Sequence, residues 1–112
     1  MTIILKWDIM GRYMHIISRK TLINYWEHPN HRDAEQPLKA WFAEAKHADW
    51  RTPPDIKDKY RSVSFLRNNR VVFNLAGNKY RLIVKMQYNT GTVYIRFIGT
   101  HAEYDEIDAE NI

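Results

Sequence analysis

Cysteine is absent from this 112-residue chain. Disulfides, thiolate metal sites and thiol nucleophiles are thereby excluded, and a reducing cytoplasm suits the composition. Long apolar runs are absent too. The early run Ile3-Ile4-Leu5 stops at Lys6, and no segment approaches the roughly 20 apolar residues that cross a bilayer. Residues 1–13 are too short and too polar for a secretory signal. With only four glycines, the chain has no phosphate-cradling loop and no Gly-x-Ser-x-Gly elbow. Repeats and low-complexity stretches are also missing. The most informative deficit is acidic: no Asp or Glu occurs from Lys59 to Ala102. That stretch holds Lys59, Arg61, Arg67, Arg70, Lys79, Arg81, Lys85 and Arg96.

Hydrophobic residues make up 45% of the chain, with 4 Trp, 7 Tyr and 4 Phe. That is enough for a core and argues against disorder. The length fits one domain. Net charge is +4, but it is unevenly spread. Glu103, Asp105, Glu106, Asp108 and Glu110 crowd the last ten residues, and all 17 Lys and Arg precede them. A positive body with an acidic tail suits a polyanionic partner, and it equally suits ordinary solubility.

The order of elements reads β-α-α-β-β-β-β with a short closing helix. Tyr13–Ile17 is a first strand. Because Met14-His15-Ile16-Ile17 opens it, residues 1–13 read as a dispensable extension and 14–112 as the domain. Ser18 can cap a helix running to about Glu27. A second helix starts at Asp33 or Pro37 and runs to His47. Its Leu38, Trp41, Phe42 and Ala45 have the spacing of a buried stripe. Trp50 and Pro53-Pro54 mark a loop, and 55–61 an irregular or one-turn basic segment. Four strands follow: 63–66, 70–75, 79–87 and 93–98. Asn68-Asn69, Gly77-Asn78 and Asn89-Thr90-Gly91 turn them into hairpins. Helices on one side of such a meander give an α+β domain.

Side chains alternate across a strand. Leu82, Val84 and Met86 therefore share one face, and Arg81, Ile83 and Lys85 the other. By the same alternation Val93, Ile95 and Phe97 oppose Tyr94, Arg96 and Ile98. The apolar sets belong against the helices, which leaves Arg81, Lys85 and Arg96 together on the second face. Covered and unpaired, these charges are costly. An open, anion-binding face removes that cost. At its end, Thr100 and Glu103 match a capping box. A short helix then begins beside the basic face, and its N-terminal end favours phosphate. His101 lies in its first turn and Tyr104 one turn on.

Metal chemistry has little support, and no cofactor is expected. His28 and His31 have zinc-like spacing but no carboxylate or thiolate to complete a site. RNA cleavage without metal asks only that the 2′-hydroxyl be aligned with its own phosphate, that charge be stabilised, and that two protons move. Arginine, with a planar charged fork, suits the phosphate. His or Tyr can carry the protons, and aromatic rings can stack an unpaired base. Two rival readings use the same face: a non-catalytic RNA-binding module, and an interaction protein that docks an acidic peptide.

The runs Arg70-Val71-Val72-Phe73-Asn74-Leu75-Ala76-Gly77-Asn78-Lys79-Tyr80-Arg81-Leu82 and Val93-Tyr94-Ile95-Arg96-Phe97-Ile98-Gly99-Thr100-His101-Ala102-Glu103-Tyr104-Asp105 resemble the HigB family of type II toxin–antitoxin toxins. The Trp50 to Lys57 segment is similar as well. The resemblance spans roughly Met14 to Asp108. It implies a RelE-like fold: an antiparallel sheet of four to five strands, two N-terminal helices on one face and a short C-terminal helix. It also implies a cytoplasmic mRNA interferase, an endoribonuclease that cuts messenger RNA on the translating ribosome. A helix-turn-helix antitoxin of the HigA type is the implied partner, with operator DNA reached only through that antitoxin and no membrane involved. Carried onto this chain, it gives Arg81, Arg96, His101 and Tyr104 as catalytic residues, with the order of base and acid left open. Lys57, Lys59, Arg61 and Lys85 are the implied RNA-binding residues.

Overall fold

The computed structural model describes residues 14–112. The expectation of a dispensable extension at residues 1–13 lies outside the described residues. The elements are β1 (His15–Ile17), α1 (Arg19–Trp26), a 3-10 segment (Pro29–Ala34), α2 (Glu35–His47), α3 (Pro53–Lys59), β2 (Ser64–Phe65), β3 (Arg70–Leu75), β4 (Tyr80–Gln87), β5 (Thr92–Thr100) and α4 (His101–Tyr104).

The strands form one sheet in the order β1-β5-β4-β3-β2. Strands β2 to β5 are the expected meander of antiparallel hairpins. Strand β1 joins its far edge, parallel to β5, with Ile16 opposite Val93. The turns have the backbone their residues favour. Asn68 and Asn69 both have positive φ, at 59° and 60°, the left-handed pair that a tight hairpin needs. Ala76, Gly77 and Asn78 share that region at the next turn.

The core fills the layer between one sheet face and the helices. Leu22 and Trp26 of α1, Leu38, Trp41 and Ala45 of α2, and Ile56 of α3 meet Val71, Phe73, Leu82, Val84, Met86 and Val93 of the sheet. Phe73 gathers the Trp41, Trp50 and Tyr60 rings at centroid distances of 5.4, 5.9 and 5.1 Å. The aromatic stripe of α2 is thus core.

The parallel β1 makes the sheet mixed where a wholly antiparallel one was expected, and two further elements differ from the sequence expectation. The segment after Pro53-Pro54 is a two-turn helix, α3. Thr52 N–H donates to Asp55 Oδ2 at 3.0 Å, Asp55 N–H donates to Thr52 O at 3.1 Å, and the prolines fill the first turn. There their missing N–H groups cost nothing and their fixed φ suits a helix. The second difference is in β5. Ile83 pairs with Phe97 but Val84 pairs with Ile95, so Arg96 is the extra residue of a β-bulge. A bulge reverses the alternation beyond it. Ile98 therefore falls opposite core residue Leu82 and packs on the core, whereas Phe97 turns to the second face. The uninterrupted alternation expected along β5 is corrected accordingly.

Candidate nucleic-acid interface

The face turned away from the helices is organised in three rows across β3, β4 and β5. The first row is Asn74, Arg81 and Gly99. The second is Val72, Ile83 and Phe97, and the third is Arg70, Lys85 and Tyr94. Arg81 and Lys85 stand four residues apart on β4, about 13 Å at the usual strand rise. Arg96 sits exposed on the bulge between the rows. The structure thus places all three expected cations on one face, but spreads them along it.

Arg81 is half-buried. Its Nη1 donates to Asn74 Oδ1, and its guanidinium carbon lies 5.7 Å from the centroid of the Tyr104 ring. Asn74 Nδ2 in turn donates to Ser62 O at 2.7 Å. One asparagine therefore ties the loop after α3 to the arginine. Sequence reasoning missed Asn74. Its only signal was its position opposite Arg81 in the predicted hairpin.

Gly99 completes the row beneath the Phe97 ring. A Cβ there would lie 2.4 Å from the Phe97 ring and 2.7 Å from Glu103 Oε1. The expected capping box follows. Thr100 N–H donates to Glu103 Oε1 at 2.8 Å, and Glu103 N–H to Thr100 Oγ1 at 3.2 Å. His101 N–H donates to Lys79 O at 3.2 Å. These amides are engaged within the protein, so the four-residue helix offers little free N–H to a phosphate. What the corner offers is side chains. Tyr104 stacks on Arg81, while exposed His101 places Nδ1 3.4 Å from Asp105 Oδ2.

Lys79 and Tyr80 find an acid that local sequence did not supply. Both donate to the Asp33 carboxylate in the 3-10 segment. Those two hydrogen bonds hold Asp33 below the usual carboxylate range, and Asp33 raises Lys79. Burial, then Asp33, raises the Tyr80 phenol. Tyr25 stacks on His31 at 4.1 Å. Burial and the nearby Glu103 carboxylate raise its phenol well above the ordinary value. The His28–His31 pair is occupied structurally: His28 Nδ1 accepts the Asn30 N–H at 3.1 Å, and His31 lies in the Tyr25 stack.

The cations around α3 are dispersed. Lys59 turns to the helical side and pairs with Glu44 at 3.2 Å. It borders a cavity of about 500 Å³ lined also by Ala48, Asp49, Trp50, Asp55 and Asp58. The carboxylates around that cavity disfavour a polyanion there. Lys57 Nζ reaches Val63 O at 3.5 Å, and Arg61 is exposed in the loop that Asn74 holds.

Residues 34–107 match the family model of the HigB toxin, the RelE-like toxic component of a toxin–antitoxin system. The chain is 28% identical over 95 residues to the mRNA interferase toxin HigB of Escherichia coli strain K12, covering 82% of this chain and 88% of that protein. The mRNA interferase HigB proteins of Escherichia coli O157:H7 and Shigella flexneri match over the same length and at the same identity.

Proposed function

The chain belongs to the HigB family of RelE-like toxins, and on that premise we propose how its basic sheet face cuts messenger RNA. It is an mRNA endoribonuclease of a toxin–antitoxin system. The observation that carries the reading is Arg81. It is held by Asn74 and lies over the Tyr104 ring of α4, the helix that His101 opens, at the end of a face whose sequence stretch lacks acids.

Arg81 binds the scissile phosphate. A fixed, permanently charged fork stabilises the extra negative charge that forms as the 2′-hydroxyl oxygen attacks phosphorus. One proton must leave that hydroxyl, and one must reach the departing 5′-oxygen. We assign these transfers to His101 and Tyr104. Asp105 at Nδ1 of His101 leaves Nε2 for the substrate. No outside nucleophile or metal is required for this route. Arg96 and Lys85 hold the strand further along the face, and Lys57 and Arg61 hold it at the edge. Lys59, paired with Glu44, contributes only if that pair opens.

The substrate is mRNA on the translating ribosome in the cytoplasm. The partner is a helix-turn-helix antitoxin of the HigA type, through which the toxin reaches operator DNA. The decisive experiment is expression of Arg81→Ala without antitoxin. Growth inhibition and mRNA cleavage should both disappear, and full retention of both would overturn the assignment.

A further inference from the structure

Val72 and Ile83 are 2% and 0% exposed. Yet they lie on the face away from the helices and stand apart from the helical core. Residues 105–112 fold back across this face. Ile112 O accepts from Arg70 Nε at 3.1 Å and also from Arg70 Nη2. It accepts from Arg96 Nε at 3.3 Å as well. Asn68 Nδ2 anchors the same segment through Glu110 O at 3.0 Å and Asn111 Oδ1 at 3.3 Å.

Two arginines thus converge on one oxygen, and one of them, Arg70, is 8% exposed. Arg70 is the one buried charged residue among those described. A buried guanidinium is costly unless an anion or acceptor meets it. A forked arginine with a second arginine beside it is the geometry that proteins use for a phosphate oxygen. The segment supplying the present oxygen carries Asp105, Glu106, Asp108 and Glu110 and no Lys or Arg. Its Ile112 oxygen takes the acceptor position that a phosphate oxygen of a nucleic-acid strand would fill.

The geometry points to Arg70 and Arg96 as a second phosphate subsite, closed by residues 105–112 until RNA displaces them. This rests on the RNA-cleaving reading and deepens it. The subsite lies at the opposite end of the face from Arg81, about 13 Å along the sheet. A stretched single strand spans that distance in a few nucleotides. Arg81 then binds the phosphate that is cut, and Arg70 with Arg96 binds one further along. Neither requires the other for the chemical step, so the second subsite governs strand affinity.

The test measures binding of a 2′-O-methyl RNA oligonucleotide. Its blocked 2′-oxygen prevents self-attack, so affinity is read without cleavage. Arg70→Gln should weaken binding roughly tenfold, the scale of one charge-assisted contact, and should reduce the salt slope by about one. Asn68→Gly removes the anchor of 105–112 and keeps the positive φ of 59° accessible. It should tighten binding a few-fold. Arg70→Lys keeps the charge without the fork and should fall between wild type and Arg70→Gln.

If Arg70 only fastened residues 105–112, Arg70→Gln would free the face and bind RNA as well as wild type or better. That result overturns the subsite. Unchanged or weaker binding by Asn68→Gly overturns displacement. Failure of the wild-type protein to cut translated mRNA, with this binding pattern intact, would count against the endoribonuclease reading and leave the subsite standing.

Discussion

Asn74 and Arg81 face one another across the β3–β4 ladder, and the asparagine carbonyl accepts the arginine's Nη1 hydrogen bond. Asn74 also holds Ser62 O through its amide. The residue therefore positions Arg81 without being a candidate for contact with the scissile bond. Asn74→Ala should lower mRNA cleavage about tenfold, the effect of losing one orienting hydrogen bond of roughly 1.4 kcal/mol. Asn74→Asp should also impair cleavage, because a carboxylate there would pair with Arg81 and repel phosphate. Translation-coupled cleavage assays on both variants, beside Arg81→Ala, check this. Undiminished cleavage by both would remove Asn74 from the site.

Tyr104 contributes a ring to Arg81 and a hydroxyl to the corner. Tyr104→Phe keeps the first and removes the second. Should the hydroxyl move a proton, cleavage falls on the order of 10²-fold while affinity for uncleavable RNA holds. His101→Ala tests the other proton carrier in the same way. A double variant, His101→Ala/Tyr104→Phe, that cuts normally would favour a non-catalytic binding module.

A side chain at Gly99 would have to displace the ends of Phe97 and Glu103. Gly99→Ala places Cβ against the Phe97 ring and the Glu103 carboxylate that caps α4. A destabilisation of about 1–3 kcal/mol is expected, measured by urea unfolding, and α4 should lose protection in amide exchange. A neutral substitution would mean that Phe97 and Glu103 give way freely.

Acid should loosen the join between the 3-10 segment and β4. Asp33 is depressed below its ordinary value of 3.8 by hydrogen bonds from Lys79 and Tyr80. A depressed carboxylate stabilises the fold fully above its unfolded value, and that stabilisation is lost as pH falls through the folded value. The loss from Asp33 thus falls below about pH 4. Asp33→Asn should lower stability at neutral pH and flatten the acid limb of the stability curve. Thermal melts of the two proteins between pH 2 and pH 7, a range set around the carboxylate titration, measure both effects. Parallel acid limbs would show that Asp33 is not coupled to folding.

Much of this protein follows from local pattern. Asn-Asn and Gly-Asn pairs dictate hairpins because few other residues accept positive φ cheaply. Period-two alternation along β4 separates Leu82, Val84 and Met86 from Arg81 and Lys85 before any fold is known. The Thr100–Glu103 capping box is likewise a local chemical fact. Family resemblance in the Gly-Asn-x-Tyr-Arg and Gly-Thr-His-x-Glu-Tyr-Asp runs carried the function further than charge alone could.

Other features were decided only by tertiary structure. The bulge at Arg96 depends on how β5 pairs with β4, and it exchanged the faces of Phe97 and Ile98. Helix α3 was obscured because Pro-Pro marks loops and helix starts equally well. Asp33 reached Lys79 and Tyr80 across 46 and 47 residues of sequence, a contact no window could show. The acids of 103–112 looked like a separate tail, yet their segment closes over the basic face and ends on Arg70 and Arg96. Alternation in sequence gave each side chain a face. Long-range pairing decided which cations share a phosphate and what covers them meanwhile.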